Sequence, residues 1–220
     1  FEAPYARVRD TVRFLRAAFT GEKVTQSYES FDVAGFRLGN APDEAPSIVV
    51  AALREGMLRL AGREADGAVV NWLSVDDAST VTAIVRDAAA TAGRPEPEVA
   101  ARLFVCPSTD REVVVSQARR LVAAYVNVPV YRAFHEWMGR TDVLGEHWER
   151  WDAGDRAASL DSMPDEVVDD LLVHGSPDEC RSHIDRYVAA GITTPVLSIV
   201  PLAGVDVDAA VRDLSPVGNR

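Results

Sequence analysis

The stretch Ala51-Ala52-Leu53-Arg54-Glu55-Gly56-Met57-Leu58-Arg59-Leu60-Ala61-Gly62-Arg63-Glu64-Ala65-Asp66-Gly67-Ala68-Val69-Val70-Asn71-Trp72 decides the fold. It opens at the end of one apolar run, Ser47–Ala52, and closes on another, Gly67–Trp72. Both runs are continuous rather than alternating, which fits strands covered on both faces, as in a parallel sheet. A helix start follows at Ser74-Val75-Asp76-Asp77. Val81, Ile84, Val85 and Ala88 then recur at helical spacing, and Gly93 stops the helix.

The same alternation extends outward. Val99–Cys106 and Thr194–Val200 read as two more buried strands. After Cys106, Thr109 and Glu112 suggest a capping box. Before Thr194, Ser176-Pro177-Asp178-Glu179 places Ser at the N-cap, Pro at N1 and Glu at N3, the strongest helix start in the chain. That helix carries Cys180, Ile184, Tyr187 and Val188 on one face and ends at Gly191. Near the N-terminus, Val8, Val12, Leu15 and Phe19 form a helical stripe with Gly21 after it. Thr25 to Leu38 reads as an irregular or hairpin excursion. A long helical insert, from about 119 to 173, holds Trp137, Trp148, Trp151, Tyr125, Tyr131, Phe134 and His135. It suits a lid, a subunit contact or the core of extra helices.

Strand–helix alternation argues for right-handed βαβ units in one domain spanning residues 1–220. Four parallel strands do not close a barrel, which needs eight. An open four-stranded sheet would leave the helix Tyr5–Phe19 with no preceding strand to pack on. The expectation is therefore a partial (β/α)8 barrel, with strands upstream of Phe1 absent from this chain. Phe1 is not a natural start residue.

Composition narrows the function. The net charge of −11 repels phosphate backbones, and the Lys and Arg residues form no basic stripe, so nucleic acid is not an expected partner. A small anion can still bind at a helix N-terminus, through backbone N–H groups. No apolar run approaches the ~18 residues that span a bilayer. Cys106 and Cys180 belong to no CxxC motif and read as reduced, packed thiols of a cytoplasmic protein. No HExxH, Cys/His cluster or paired acidic motif suggests a metal, and no GxSxG suggests a hydrolase.

Four segments together resemble the luciferase-like monooxygenases, especially the oxidoreductase branch that uses the deazaflavin coenzyme F420. They are the opening helix with Gly21–Val24, the Ala51–Trp72 stretch, Tyr125–Tyr131 with Phe134-His135-Glu136-Trp137, and His174–Glu179. The resemblance implies a TIM-type barrel of which this chain holds the fifth to eighth strands. It implies an enzyme that transfers hydride between F420 and an unidentified organic substrate, and a homodimer. FMN-dependent monooxygenase is one alternative, because the same barrel serves both cofactors. A truncated, non-catalytic fragment acting only in subunit association is another.

At Ala51–Met57 a strand ends and a helix begins. Small residues and Gly56 let a ligand approach the backbone, and the helix start offers unpaired N–H groups and a positive dipole end. The resemblance places the cofactor's phosphate-bearing tail here, against Ala51, Ala52, Leu53, Arg54 and Gly56. Arg54-Glu55 stands where the family often has Gly-Pro. Arg54 could add a charge-assisted contact, or Glu55 could be an ordinary first-turn acid. Asn71 and Trp72 end a strand, where barrel residues face the active site, and the resemblance puts them with His135 on the substrate side. Trp72 alternatively belongs to the core. His135 and His174 are candidate acid–base groups; His147 and His183 show no partner pattern. No catalytic residue is assigned, because the family's ring-binding groups lie mainly in its earlier strands.

Overall fold

A computed structural model describes residues 3–216, so Phe1 lies outside the described residues. The described chain packs as two compact units: residues 3–69 with 81–99, and residues 70–80 with 100–216.

In the first unit, helix α1 (Pro4–Phe19) buries Ala6, Asp10, Val12 and Ala18. Val12 of the expected stripe is thus buried, whereas Val8, Leu15 and Phe19 are only half-buried. Gly21 follows in the left-handed region, with φ +75. The excursion is an antiparallel hairpin of β1 (Val24–Ser27) and β2 (Asp32–Phe36). Its aromatic residues Tyr28, Phe31 and Phe36 all pack around Phe14 of α1, with ring centroids 6.4, 6.1 and 5.2 Å away.

Strand β3 (Val49–Ala51) then pairs in parallel with β4 (Gly67–Asn71), in the register Val49↔Gly67, Val50↔Ala68 and Ala51↔Val69. Helix α2 (Glu55–Glu64) joins them and buries Leu58, Leu60, Ala61 and Gly62. Asp66 fixes the start of both strands. It accepts the Ile48 N–H at 2.8 Å and pairs with Arg16 at 2.8 Å and Arg94 at 3.0 Å. Burial pushes its carboxyl up, but that hydrogen bond and the two guanidiniums outweigh it and hold the pKa below the usual value. Helix α3 (Val75–Thr91) stops before Gly93, which has φ +65.

In the second unit, β5 (Glu98–Cys106) pairs in parallel with β7 (Thr194–Ile199), and its end pairs with β6 (Leu172–His174). β6 is a strand that the sequence reading placed within the insert. Its three residues are too short to show a period. The insert otherwise comprises the later part of α4 (Arg111–Val126), then α5 (Pro129–Trp137), α6 (Thr141–Asp152), α7 (Arg156–Ser162) and α8 (Asp165–Leu171). It packs one core with the ends of β4 and β5, built on Trp72, Phe104, Cys106, Val122, Leu144, Trp148 and Leu171.

Two helix starts differ in outcome. At α9 (Pro177–Ala189) Ser176 and Glu179 form the expected reciprocal capping box. At α4 the cap is Asp110, which accepts the Val113 N–H at 3.2 Å, rather than Thr109. Within α9, Cys180 and Tyr187 are buried but Val188 is 48% exposed. Helix α10 (Val207–Leu214) closes the described chain and packs on α9 and β7.

The strands are not covered on both faces as the apolar runs suggested. Helices cover one face, but Val69 on β4 is 39% exposed and Val196 on β7 is 48% exposed. Ala51 and Arg102 are exposed as well. These residues lie on the strand face that a closed barrel would turn into its interior layers of side chains.

Candidate cofactor and substrate sites

The five residues expected at the cofactor tail are contiguous in the first unit. Ala51 is the exposed last residue of β3. Ala52 is buried, and its N–H continues the ladder to the Val69 carbonyl at 3.0 Å. Leu53 is half-buried, and Arg54 and Gly56 are exposed. Arg54 is the N-cap of α2, with extended backbone and no side-chain capping bond. The N–H groups of the first turn, at Glu55, Gly56 and Met57, therefore receive neither an intrahelical acceptor nor a side-chain cap. Glu55 turns away to pair with Arg59 at 2.8 Å, the ordinary role of a first-turn acid. A Cβ placed on Gly56 would meet nothing within 4 Å, so the space beside Gly56 in this turn is open. Uncapped donors, a positive dipole end and open space suit a phosphate.

The remaining candidates belong to the second unit. Asn71, the half-buried last residue of β4, donates from Nδ2 to the Tyr131 hydroxyl of α5 at 3.1 Å. Trp72 is 1% exposed and stacks on Phe104 with centroids 3.9 Å apart, with Tyr125 4.5 Å away on α4. Its backbone is left-handed, at φ 54, and its indole N–H is buried without an acceptor. A bulky residue held there costs about 1–3 kcal/mol and marks a turn fixed by its surroundings. Three hooks fix it. One is the Asn71–Tyr131 bond. Another is Tyr187, whose hydroxyl donates to the Leu73 carbonyl at 2.8 Å. The third is Asp77, which accepts the Ser74 N–H at 2.8 Å while Ser74 Oγ accepts the Asp77 N–H at 3.1 Å. Nothing in a sequence marks a tryptophan for this conformation, so it was not foreseen.

Arg140 was not foreseen either. From the turn after α5 it pairs with Asp77 through both guanidinium ends, at 3.2 and 2.7 Å, with side chains only 12% and 6% exposed. Its other contact is His135, whose Nδ1 lies 3.4 Å from Arg140 Nη1. A guanidinium can only donate, so Nδ1 is the acceptor and the proton sits on Nε2. That Nε2–H is buried and unpartnered. Burial, and after it the Arg140 charge, lower the His135 pKa to about 3. His135 is thus a neutral donor, 0% exposed. It shares α5 with Tyr131, one helical turn away, but has no hydrogen bond to Asn71 or Trp72.

The other histidines lie apart from Asn71 and Trp72, without a hydrogen bond to either. His147 is buried: its Nδ1–H donates to the Ser159 carbonyl at 2.7 Å, and its Nε2 accepts from Asn127 at 3.0 Å. Burial lowers its pKa. His174 ends β6 and pairs with Asp169 at 2.8 Å. His183 is half-buried, stacking on Tyr187 at 5.5 Å, and burial lowers its pKa to about 4. Cys106 and Cys180 are buried and unbridged. Among the described residues, no group of three His, Cys, Asp or Glu side chains could hold a metal ion, and no helix is long and apolar enough to cross a membrane.

Comparison with known proteins locates this architecture. The 5,10-methylenetetrahydromethanopterin reductase of Methanolobus tindarius is 24% identical over 200 residues, 88% of this chain and 60% of that protein. The coenzyme F420-dependent tetrahydromethanopterin reductase structure from Methanopyrus kandleri superposes with a TM-score of 0.72 at 21% identity, over 98% of this chain and 62% of that one. The FMN-bound oxygenating constituent of 3,6-diketocamphane monooxygenase from Pseudomonas putida gives 0.52 at 20% identity, over 88% and 55%. The fold is thus that of the luciferase-like TIM barrel, and the chain spans about 60% of the length of the curated relatives it matches. The model of the luciferase-like monooxygenase family matches residues 1–194, and the chain belongs to that family.

Proposed function

We propose that this chain serves an oxidoreductase that moves hydride between coenzyme F420 and an organic substrate. In this reading Ala51, Ala52, Leu53, Arg54 and Gly56 hold the phosphate-bearing tail. Asn71, Trp72 and His135 form or support the substrate side. The observation that carries it is the uncapped start of α2, open at Gly56, in a chain whose relatives are F420-dependent reductases. The cofactor, when bound, supplies the hydride chemistry. The chain's residues supply binding and orientation: the first-turn amides of α2, which have no side-chain cap, can donate to an anion, and the exposed Arg54 adds a positive charge beside them. Burial, and after it Arg140, keep His135 uncharged near neutral pH.

FMN is the second reading, because an FMN-bound relative shares the fold and a flavin phosphate would use the same amides. Calorimetric titration of the chain with F420 and with FMN separates the two. Tighter binding of F420 is expected. Tighter binding of FMN would replace the reading with the flavin one, and saturation by neither cofactor would leave the subunit-association alternative standing.

A further inference from the structure

Asn71, Tyr125 and Tyr131 form a half-buried polar-aromatic face, backed by the buried stack of Trp72 on Phe104. Tyr125 and Tyr131 meet edge to face at 5.6 Å. Val128 and Val130, beside Tyr131, are 39% and 47% exposed. The Asn71–Tyr131 bond uses one amide hydrogen and one hydroxyl lone pair. That leaves Asn71 Oδ1 as an acceptor and the Tyr131 O–H as a donor, side by side. Behind this face the Trp72 indole N–H is buried without an acceptor and the Trp72 backbone is left-handed, outliers of the kind that cluster at ligand sites.

Positive charge is scarce here. Lys23 is the single lysine of the chain. Arg132 is taken up by Asp152 at 2.8 Å, Glu136 at 3.2 Å and the Trp148 ring at 4.9 Å. Arg140 is sealed against Asp77. The Arg102 guanidinium is engaged, lying over the Phe104 ring at 4.6 Å and donating to Ser198 Oγ at 3.0 Å. A phosphate dianion brought to this face would lose its hydration with no unengaged cation to replace it. A flat, uncharged ring would lose little and gain stacking area.

We propose that the Asn71–Tyr125–Tyr131 face binds an uncharged planar organic molecule, its ring on the tyrosines and one hydroxyl or carbonyl on the Asn71–Tyr131 pair, and discriminates against phosphorylated ligands. It rests on the oxidoreductase reading only in calling that molecule the substrate.

Ligand-observed saturation-transfer NMR on the chain, without cofactor, tests this with 2-naphthol and glucose 6-phosphate as probes. The expected result is half-saturation by 2-naphthol on the order of millimolar, fitting a fragment-sized ligand, and no transfer to glucose 6-phosphate. Tyr131→Phe removes one hydroxyl and keeps the ring. It and Asn71→Leu should each weaken 2-naphthol about fivefold, the worth of one hydrogen bond. Unchanged near-UV circular dichroism shows that the variants fold. Absence of 2-naphthol binding, its displacement by glucose 6-phosphate, or indifference to both substitutions would each overturn the proposal. A parallel F420 titration keeps the two readings apart: failure to bind F420 with 2-naphthol retained rejects only the cofactor reading.

Discussion

Two residues carry the least expected chemistry. Trp72 was legible as a strand-end residue but not as a left-handed one, because backbone conformation at a turn depends on hooks from Tyr131, Tyr187 and Asp77, all set by the fold. Trp72→Ala should destabilise the second unit by about 3–5 kcal/mol in urea titration, through the cavity left against Phe104. Arg140→Met should cost a similar ~3–5 kcal/mol, because it strands the Asp77 carboxylate. Adding Asp77→Asn to Arg140→Met should restore part of that loss, since no buried charge then lacks a partner. His135 predicts the acid limb of stability. Its pKa falls from 6.5 unfolded to about 3 folded, so between those values the unfolded chain binds the extra proton. Its contribution is complete above pH 6.5 and is lost as pH falls toward 3. The slope approaches about 1.4 kcal/mol per pH unit. His135→Gln should flatten that limb in a pH series of urea titrations, and an unaltered slope would show that His135 is not its source.

Elements were legible where their signals are local. The Ser176–Glu179 box needs only three residues of spacing, and it formed as expected. Ser176→Ala should lower stability by about 1 kcal/mol, read as a shift of the urea midpoint. Strands β3, β4, β5 and β7 were visible as apolar runs, yet their coverage was not. An apolar residue such as Val196 looks the same in sequence whether a neighbour lies over it or not, and here it is 48% exposed. β6 escaped notice because Leu172–His174 borrows its strand character from pairing with Phe104–Cys106. The cap at α4 moved by one residue, since Ser, Thr and Asp stand in a row at Ser108-Thr109-Asp110 and only backbone geometry chooses among them. Gly62 shows the same dependence on partners. It sits where a Cβ would run into the Val85 carbonyl oxygen of α3. Gly62→Ala should therefore destabilise despite its better helix propensity, with a lowered urea midpoint as the readout.

At the scale of the whole molecule, the order of elements was enough to reach a parallel (β/α) architecture, because βαβ alternation is a property of the chain's sequence of signals; the luciferase-like family came from the resemblance of four segments. The site was legible only as position. Ala51–Gly56 and Asn71–Trp72 end strands, but which donors stay open depends on what α2 and α5 leave unpaired. The account rests on the amides of Glu55, Gly56 and Met57 receiving the phosphate-bearing tail of the cofactor. Gly56→Asp is the complementary probe: open space lets the fold accept it, and its carboxylate should weaken F420 at least tenfold. The most direct measurement is an amide-resolved NMR titration of the chain with F420. The account predicts that the Glu55, Gly56 and Met57 amide resonances shift first and saturate together. Binding that leaves those three amides unmoved while others shift would contradict it.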